Sequence, residues 1–144
     1  MFKTLLCAAA TAAFALSPIG ANAHDAGTNA LLKAPPATPY KAVSSLVKLP
    51  DFLPGIGQLY VDPKTLPAGP FLAYDHDGKL VSTIYMIPLS LMKADMNLDN
   101  LGAAGAPVDH VDVVYNAGHP GVEEPHVHVV LWHVAADQEA RVAK

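Results

Sequence analysis

The chain is almost without cysteine. Its single thiol, Cys7, falls in a 23-residue N-terminal stretch that reads as a cleaved leader, so the remainder is cysteine-free. That excludes a disulfide-stapled scaffold, a thiolate metal site and a cysteine nucleophile. A surplus of basic charge is missing too: 9 Lys and Arg stand against 13 Asp and Glu in 144 residues, a net charge of −4. An acidic chain repels phosphates, so no nucleic-acid partner is expected. No Gly-x-Ser-x-Gly elbow, phosphate-binding glycine loop or helix-borne His-Glu-x-x-His pattern occurs. Long apolar runs are also absent. The longest, residues 5–16, falls short of the ~20 residues that span a bilayer.

That short run sits in a recognisable setting. Lys3 supplies a positive start, Pro18 and Gly20 break the helix, and Ala21-Asn22-Ala23 offers a small-x-small cleavage site. This is the layout of a secretory signal peptide over residues 1–23, which predicts an exported protein, periplasmic or secreted, with no membrane anchor after cleavage. Cleavage there would place His24 first, where its free amine and imidazole together could chelate Cu(II).

The residues after 23 keep 8 basic and 13 acidic side chains and all 7 histidines, enough chain for one domain with one core. Residues 24–40 hold Pro35, Pro36 and Pro39 without a hydrophobic period and read as a flexible lead-in. The single domain is then 41–144. Residues 41–49 suit a helical turn or two, 90–101 a short helix and loop, and 137–142 a terminal helical turn. Short β-prone segments fall at 58–61, 71–74, 80–87, 108–115 and 126–135. Asp77-Gly78 between the second and third is a hairpin signal. Connections this short favour antiparallel pairing. The expected fold is mainly β with short helical additions, an antiparallel sheet forming a sandwich or a partly closed barrel.

Histidine is distributed unevenly: His110, His119, His126, His128 and His133 lie within 24 consecutive residues. Without cysteine, a transition-metal site must be built from imidazole and carboxylate. Residues two apart on a strand share a face, so His126 and His128 project side by side. The preceding loop can fold His119 back over them, with Glu124 or His110 completing the set around a divalent ion such as Zn, Cu, Ni or Fe. His110 and Asp112 join the same face if Val114 opposes His128; a slip of one residue moves them to the other side. His133 falls on the opposite face, and His76, in the hairpin turn, reads as surface. Trp132 and Tyr115 read as core or interface aromatics.

Two other readings fit the same residues. The histidines could be a solvent-facing row on a non-catalytic binding or assembly module, with Val127, Val129 and Leu131 against Val111 and Val113 as core or subunit interface. Alternatively, a metal with an open position could activate water, with Glu123 or Glu124 as general base. The sequence leaves the chemistry, the substrate and the existence of an enzymatic activity open.

His126-Val127-His128 after a Gly-Pro loop resembles the cupins, small β-barrels with a His-x-His metal pair. The chain departs from them at Leu131 and Trp132, where a cupin carries Glu. Val108-Asp109-His110-Val111, Gly118-His119-Pro120-Gly121-Val122 and Pro125-His126 resemble a family of small exported bacterial proteins known as a domain of unknown function. Here the chain departs at His128 and Val130, where that family has Asp and its second His. This resemblance implies a compact β-rich fold and homo-oligomers, and no established activity.

Overall fold

The computed structural model describes residues 30–144. The signal peptide assigned to 1–23 and the copper-binding role weighed for His24 lie outside the described residues. Six strands form one antiparallel sheet: β1 (Lys41–Ala42), β2 (Gln58–Val61), β3 (Phe71–Tyr74), β4 (Leu80–Pro88), β5 (His110–Asn116) and β6 (His126–Trp132). The spatial order is β1-β2-β3-β4-β6-β5. The protein is therefore mainly β and antiparallel, as its short connections imply. Its sheet is a single open layer, with β1 and β5 at opposite edges. Among the described residues, helical structure is confined to 3₁₀ turns, the longest being Ala136–Val142.

Local sequence explains the central hairpin. Asp75 Oδ1 accepts hydrogen bonds from the backbone N–H of Asp77 (3.0 Å) and Lys79 (2.8 Å), which closes the turn. Gly78 takes φ +70°, a backbone conformation that side chains disfavour. The Asp77-Gly78 signal thus lies where β3 hands over to β4. Beyond it, β4 is the longest strand and is buried along nearly all of its length.

Alternation assigns each residue to a face. One face carries Val61, Phe71, Ala73, Ile84, Val130 and Trp132, joined by Val142 from the C-terminal turn. The opposite face carries Leu72 and Tyr74, covered by Leu31, Ala34 and Tyr40. The second half of the segment read as a flexible lead-in is therefore docked. Ala34 N–H donates to Gly78 O, Leu80 N–H donates to Leu32 O, and the buried Tyr74 hydroxyl donates to Leu31 O. Prolines there suppress a hydrophobic period, but an irregular strip can still cover a sheet by supplying a few apolar side chains and paired backbone groups.

β5 is different. It lies at the edge, and Val111, Val113 and Tyr115 on one of its faces are 49%, 69% and 62% exposed. Tyr115 is therefore a surface aromatic, whereas Trp132 is in the core. No helix among the described residues is long and apolar enough to cross a membrane.

Candidate metal centre

The β5–β6 register pairs Val114 with His128 and His110 with Trp132. His110 and Asp112 thus share the face of His126 and His128. The adjoining β4–β6 register sets Met86 against His128 and Pro88 against His126. His126 is fully buried and His128 half-buried at the end of the sheet.

His119 arrives from the loop between β5 and β6. That loop turns through reciprocal backbone hydrogen bonds between His119 and Val122, at 2.9 and 3.0 Å. Gly118 makes the turn feasible: its φ is +126°, and a Cβ there would run into the Glu123 carbonyl. Asn116 Oδ1 accepts from Gly118 N–H at 2.8 Å, which fixes the start of the turn.

The result is a group of three imidazoles. His126 Nε2 lies 2.9 Å from His128 Nε2 and 3.2 Å from His119 Nε2. Their other nitrogens determine what these three atoms present. His126 Nδ1 donates to the Glu124 carbonyl at 2.7 Å, and His119 Nδ1 faces the Pro120 carbonyl at 3.1 Å. A carbonyl only accepts, so both Nδ1 atoms carry a proton, and in the neutral rings both Nε2 atoms present lone pairs. Only His128 could place a proton between them, and one proton cannot satisfy both. Burial, reinforced by the neighbouring His126 and His119 rings, pushes His128 down to about 4, so it is neutral at physiological pH. Three imidazoles with convergent Nε2 atoms can hold a metal ion. Ligand distances of about 2.0–2.1 Å put adjacent nitrogens roughly 2.9–3.4 Å apart for angles between 90° and tetrahedral. The two separations from His126 fall in that range.

The other sequence candidates lie elsewhere. Glu124 contributes its backbone carbonyl to His126, but its exposed carboxylate accepts from Ser90 Oγ at 2.7 Å. It holds His126 through its main chain, and its carboxylate lies outside the three-histidine group. Glu123, the other proposed general base, is exposed and outside the group. His110 shares the correct face but sits opposite Trp132, four residues beyond His128. At ~3.3 Å per residue that is about 13 Å away. Sharing a face is necessary for convergence, and position along the strand is the second requirement.

His110 instead belongs to a second group with Asp112 and Glu139. Its Nδ1 lies 2.9 Å from Asp109 Oδ1 and its Nε2 3.0 Å from Glu139 Oε1, while Asp112 accepts from Trp132 Nε1 at 2.9 Å. The Asp109 bond, with that to Glu139, raises the His110 pKa against the pull of desolvation. This second group could also hold a metal ion, although both His110 nitrogens and one Asp112 oxygen already have hydrogen-bond partners. Replacing His110→Ala is expected to leave metal stoichiometry and affinity unchanged within about two-fold, measured by calorimetric Zn²⁺ titration. A large loss would mean that the two groups act together.

His133 bonds Thr83 Oγ1 and the Pro107 carbonyl, and exposed His76 stacks on Phe52. Beside the three histidines lies a cavity of about 310 Å³ with predominantly apolar walls, reached by His119 and His128. Its outer wall comes from residues 43–56, a stretch whose sequence reads only as turn and loop.

These features define a mainly-β protein with one open antiparallel sheet and a three-histidine group at the end of its buried face. No family model matches the chain, and no curated protein matches it. Among solved structures it is similar to hypothetical protein TTHB210 from Thermus thermophilus. The two are 44% identical, with a TM-score of 0.58, over 66% of this chain and 93% of that one. The chain belongs to the same family as that protein.

Proposed function

We propose that this is an exported protein that binds one divalent metal ion through His119, His126 and His128. The observation that carries this reading is the fixed tautomers. Two backbone carbonyls, of Glu124 and Pro120, hold the Nδ1 protons and turn bare Nε2 lone pairs toward one another in a partly buried setting. Lone pairs facing each other at 3.2 Å are unfavourable unless a proton or a metal ion lies between them, and a metal ion can satisfy all three nitrogens at once. All-imidazole ligation suits Zn, Cu, Ni or Fe. Two of the ligands come from the Gly118–Val122 and Pro125-His126 stretches, which supports the likeness to the uncharacterised exported family. Export itself rests on the leader sequence. Metal analysis of protein purified without a histidine tag tests the reading: about one ion per chain is expected, and a metal-free protein indifferent to added Zn²⁺, Cu²⁺ and Ni²⁺ overturns it.

The cavity would also suit a metal-dependent enzyme of cupin type. No carboxylate joins the three histidines as a fourth ligand group among the described residues, and the Glu124 carboxylate is engaged by Ser90.

A second reading, self-assembly, is favoured by the exposed face of β5. A twofold axis through Val113 would set Val113 against its copy and Val111 against the other chain's Tyr115. It would oppose no like charges, since Asp112 would face Val114. An apolar edge strand of this length invites such pairing. Val113→Asp is expected to convert an oligomer to monomer in sedimentation velocity, with stability changed by no more than about 0.5 kcal/mol because the site is exposed. A monomeric wild type would end this reading.

A further inference from the structure

The cavity beside the histidines contains one polar group that packing alone does not explain. Ser82 stands midway across the sheet, between Ala73 on β3 and Trp132 on β6. It is fully buried and lines the cavity, and its Oγ has no hydrogen-bond partner among the described residues. Around it the walls are Leu59, Phe71, Ile84, Val130 and Trp132. A buried hydroxyl without a partner costs stability, and Ala would fill that position on the sheet without the penalty.

The registers place this hydroxyl relative to the metal group. Ser82 opposes Trp132 and Met86 opposes His128, so four residues of strand separate the two rungs. That is about 13 Å at ~3.3 Å per residue. The cavity, of about 310 Å³, is lined at both rungs, by Ser82 at one and His128 at the other. A site that reaches both rungs suits an extended molecule. It also lies at the small end of ligand pockets, about 300–1,000 Å³.

We propose that the cavity binds an elongated, largely apolar small molecule. Its head ligates the ion held by His119, His126 and His128, and a hydroxyl or carbonyl near its far end pairs with Ser82 Oγ. The proposal rests on the metal reading above and adds the ligand class. The apolar walls supply affinity without direction, while the ion at one end and the hydroxyl at the other fix orientation and length.

The test uses hydroxamic acids, which chelate metal through a constant head group. Zinc-loaded protein is titrated calorimetrically with acetohydroxamic acid, octanohydroxamic acid and the ω-hydroxy form of the latter. Burying a methylene strengthens binding about four-fold, so the octano compound is expected to bind at least ~100-fold tighter than the aceto compound. Ser82→Ala should weaken the ω-hydroxy form about ten-fold and leave the plain chain within about two-fold. Leu59→Phe, which narrows the end near Ser82, should remove most of the chain-length gain while leaving Zn²⁺ affinity intact. Equal affinity for short and long chains, on protein that holds one zinc ion, overturns the cavity proposal and leaves the metal reading standing. Chain-length dependence on protein that holds no metal supports an apolar cavity and overturns both the metal reading and the head-group assignment. Indifference of the ω-hydroxy ligand to Ser82→Ala overturns the role given to that hydroxyl.

Discussion

Zinc at ~100 times its dissociation constant is expected to stabilise the wild-type protein by about 2.7 kcal/mol, and His126→Ala is expected to abolish the effect. For a domain of this size that stabilisation corresponds to a rise of roughly 10 °C in melting temperature. The effect should be large because His126 lies at the centre of the group, within 3.2 Å of the Nε2 atoms of both other histidines. Its loss should weaken binding by more than the roughly 10–100-fold that removal of an outer-sphere partner typically costs. His126 is also fully buried, so the variant will lose stability without metal, and its own metal-free melting point is the proper baseline. His119→Ala provides a second test in a half-buried loop position, with less structural damage expected. Protons compete with metal for imidazole. His128, held down to about 4, stays available for ligation well below the pH at which an ordinary histidine protonates. A zinc-dependent shift that survives both substitutions would place the metal elsewhere and remove the proposed function.

The histidine pair was legible because a strand has period two, and His126-Val127-His128 needs no tertiary information beyond strand formation. The hairpin was legible for a similar reason, since Asp77-Gly78 carries its own turn chemistry. His119 was readable only as a loop residue within reach; the Gly118 backbone and the His119–Val122 pairing that aim it are properties of the folded turn. His110 shows the limit of pattern reasoning. Its face follows from register, but its distance from the site depends on how far along β6 its partner lies, and nothing in the local sequence sets that. Ser82 gave no signal, because a serine within Leu80–Pro88 looks like one more small residue in an apolar strand. Its significance arises only when residues 43–56 fold over the sheet and enclose the space above it. For the same reason the docked half of the lead-in was not visible: its contacts are made with strands that come some 40 residues later.

Asp75→Ala is expected to cost about 3–5 kcal/mol. Asp75 is 4% exposed, and it ties two distant parts of the fold together. One carboxylate oxygen closes the β3–β4 turn on Asp77 and Lys79, and the other accepts from the Arg141 guanidinium in the C-terminal turn. Burial alone would raise this carboxyl. The hydrogen bonds from Lys79, Arg141 and Asp77, with the Arg141 charge, outweigh burial and hold it below its ordinary value. On acidification the unfolded chain therefore takes up the proton first. The contribution is complete above the unfolded value, about 3.9, and is lost as pH falls through the lower folded value. Asp75→Asn keeps an acceptor for the turn and loses only the ion pair, so it should cost less than Asp75→Ala. Arg141→Ala should cost about 1–3 kcal/mol, less than Asp75→Ala, because the buried carboxylate loses its charge partner but keeps its backbone donors at Asp77 and Lys79. Urea unfolding at pH 7 and pH 3 checks both the order and the sign; a loss below about 1 kcal/mol for Asp75→Ala would refute the assignment. The ion pair also bears on the cavity. Val142 follows Arg141 directly, is buried in the core of the same face, and accepts a hydrogen bond from Gly55 N–H on the cavity wall. Releasing Arg141 should therefore loosen that wall, and the long-chain hydroxamate should lose affinity in Arg141→Ala while zinc affinity holds.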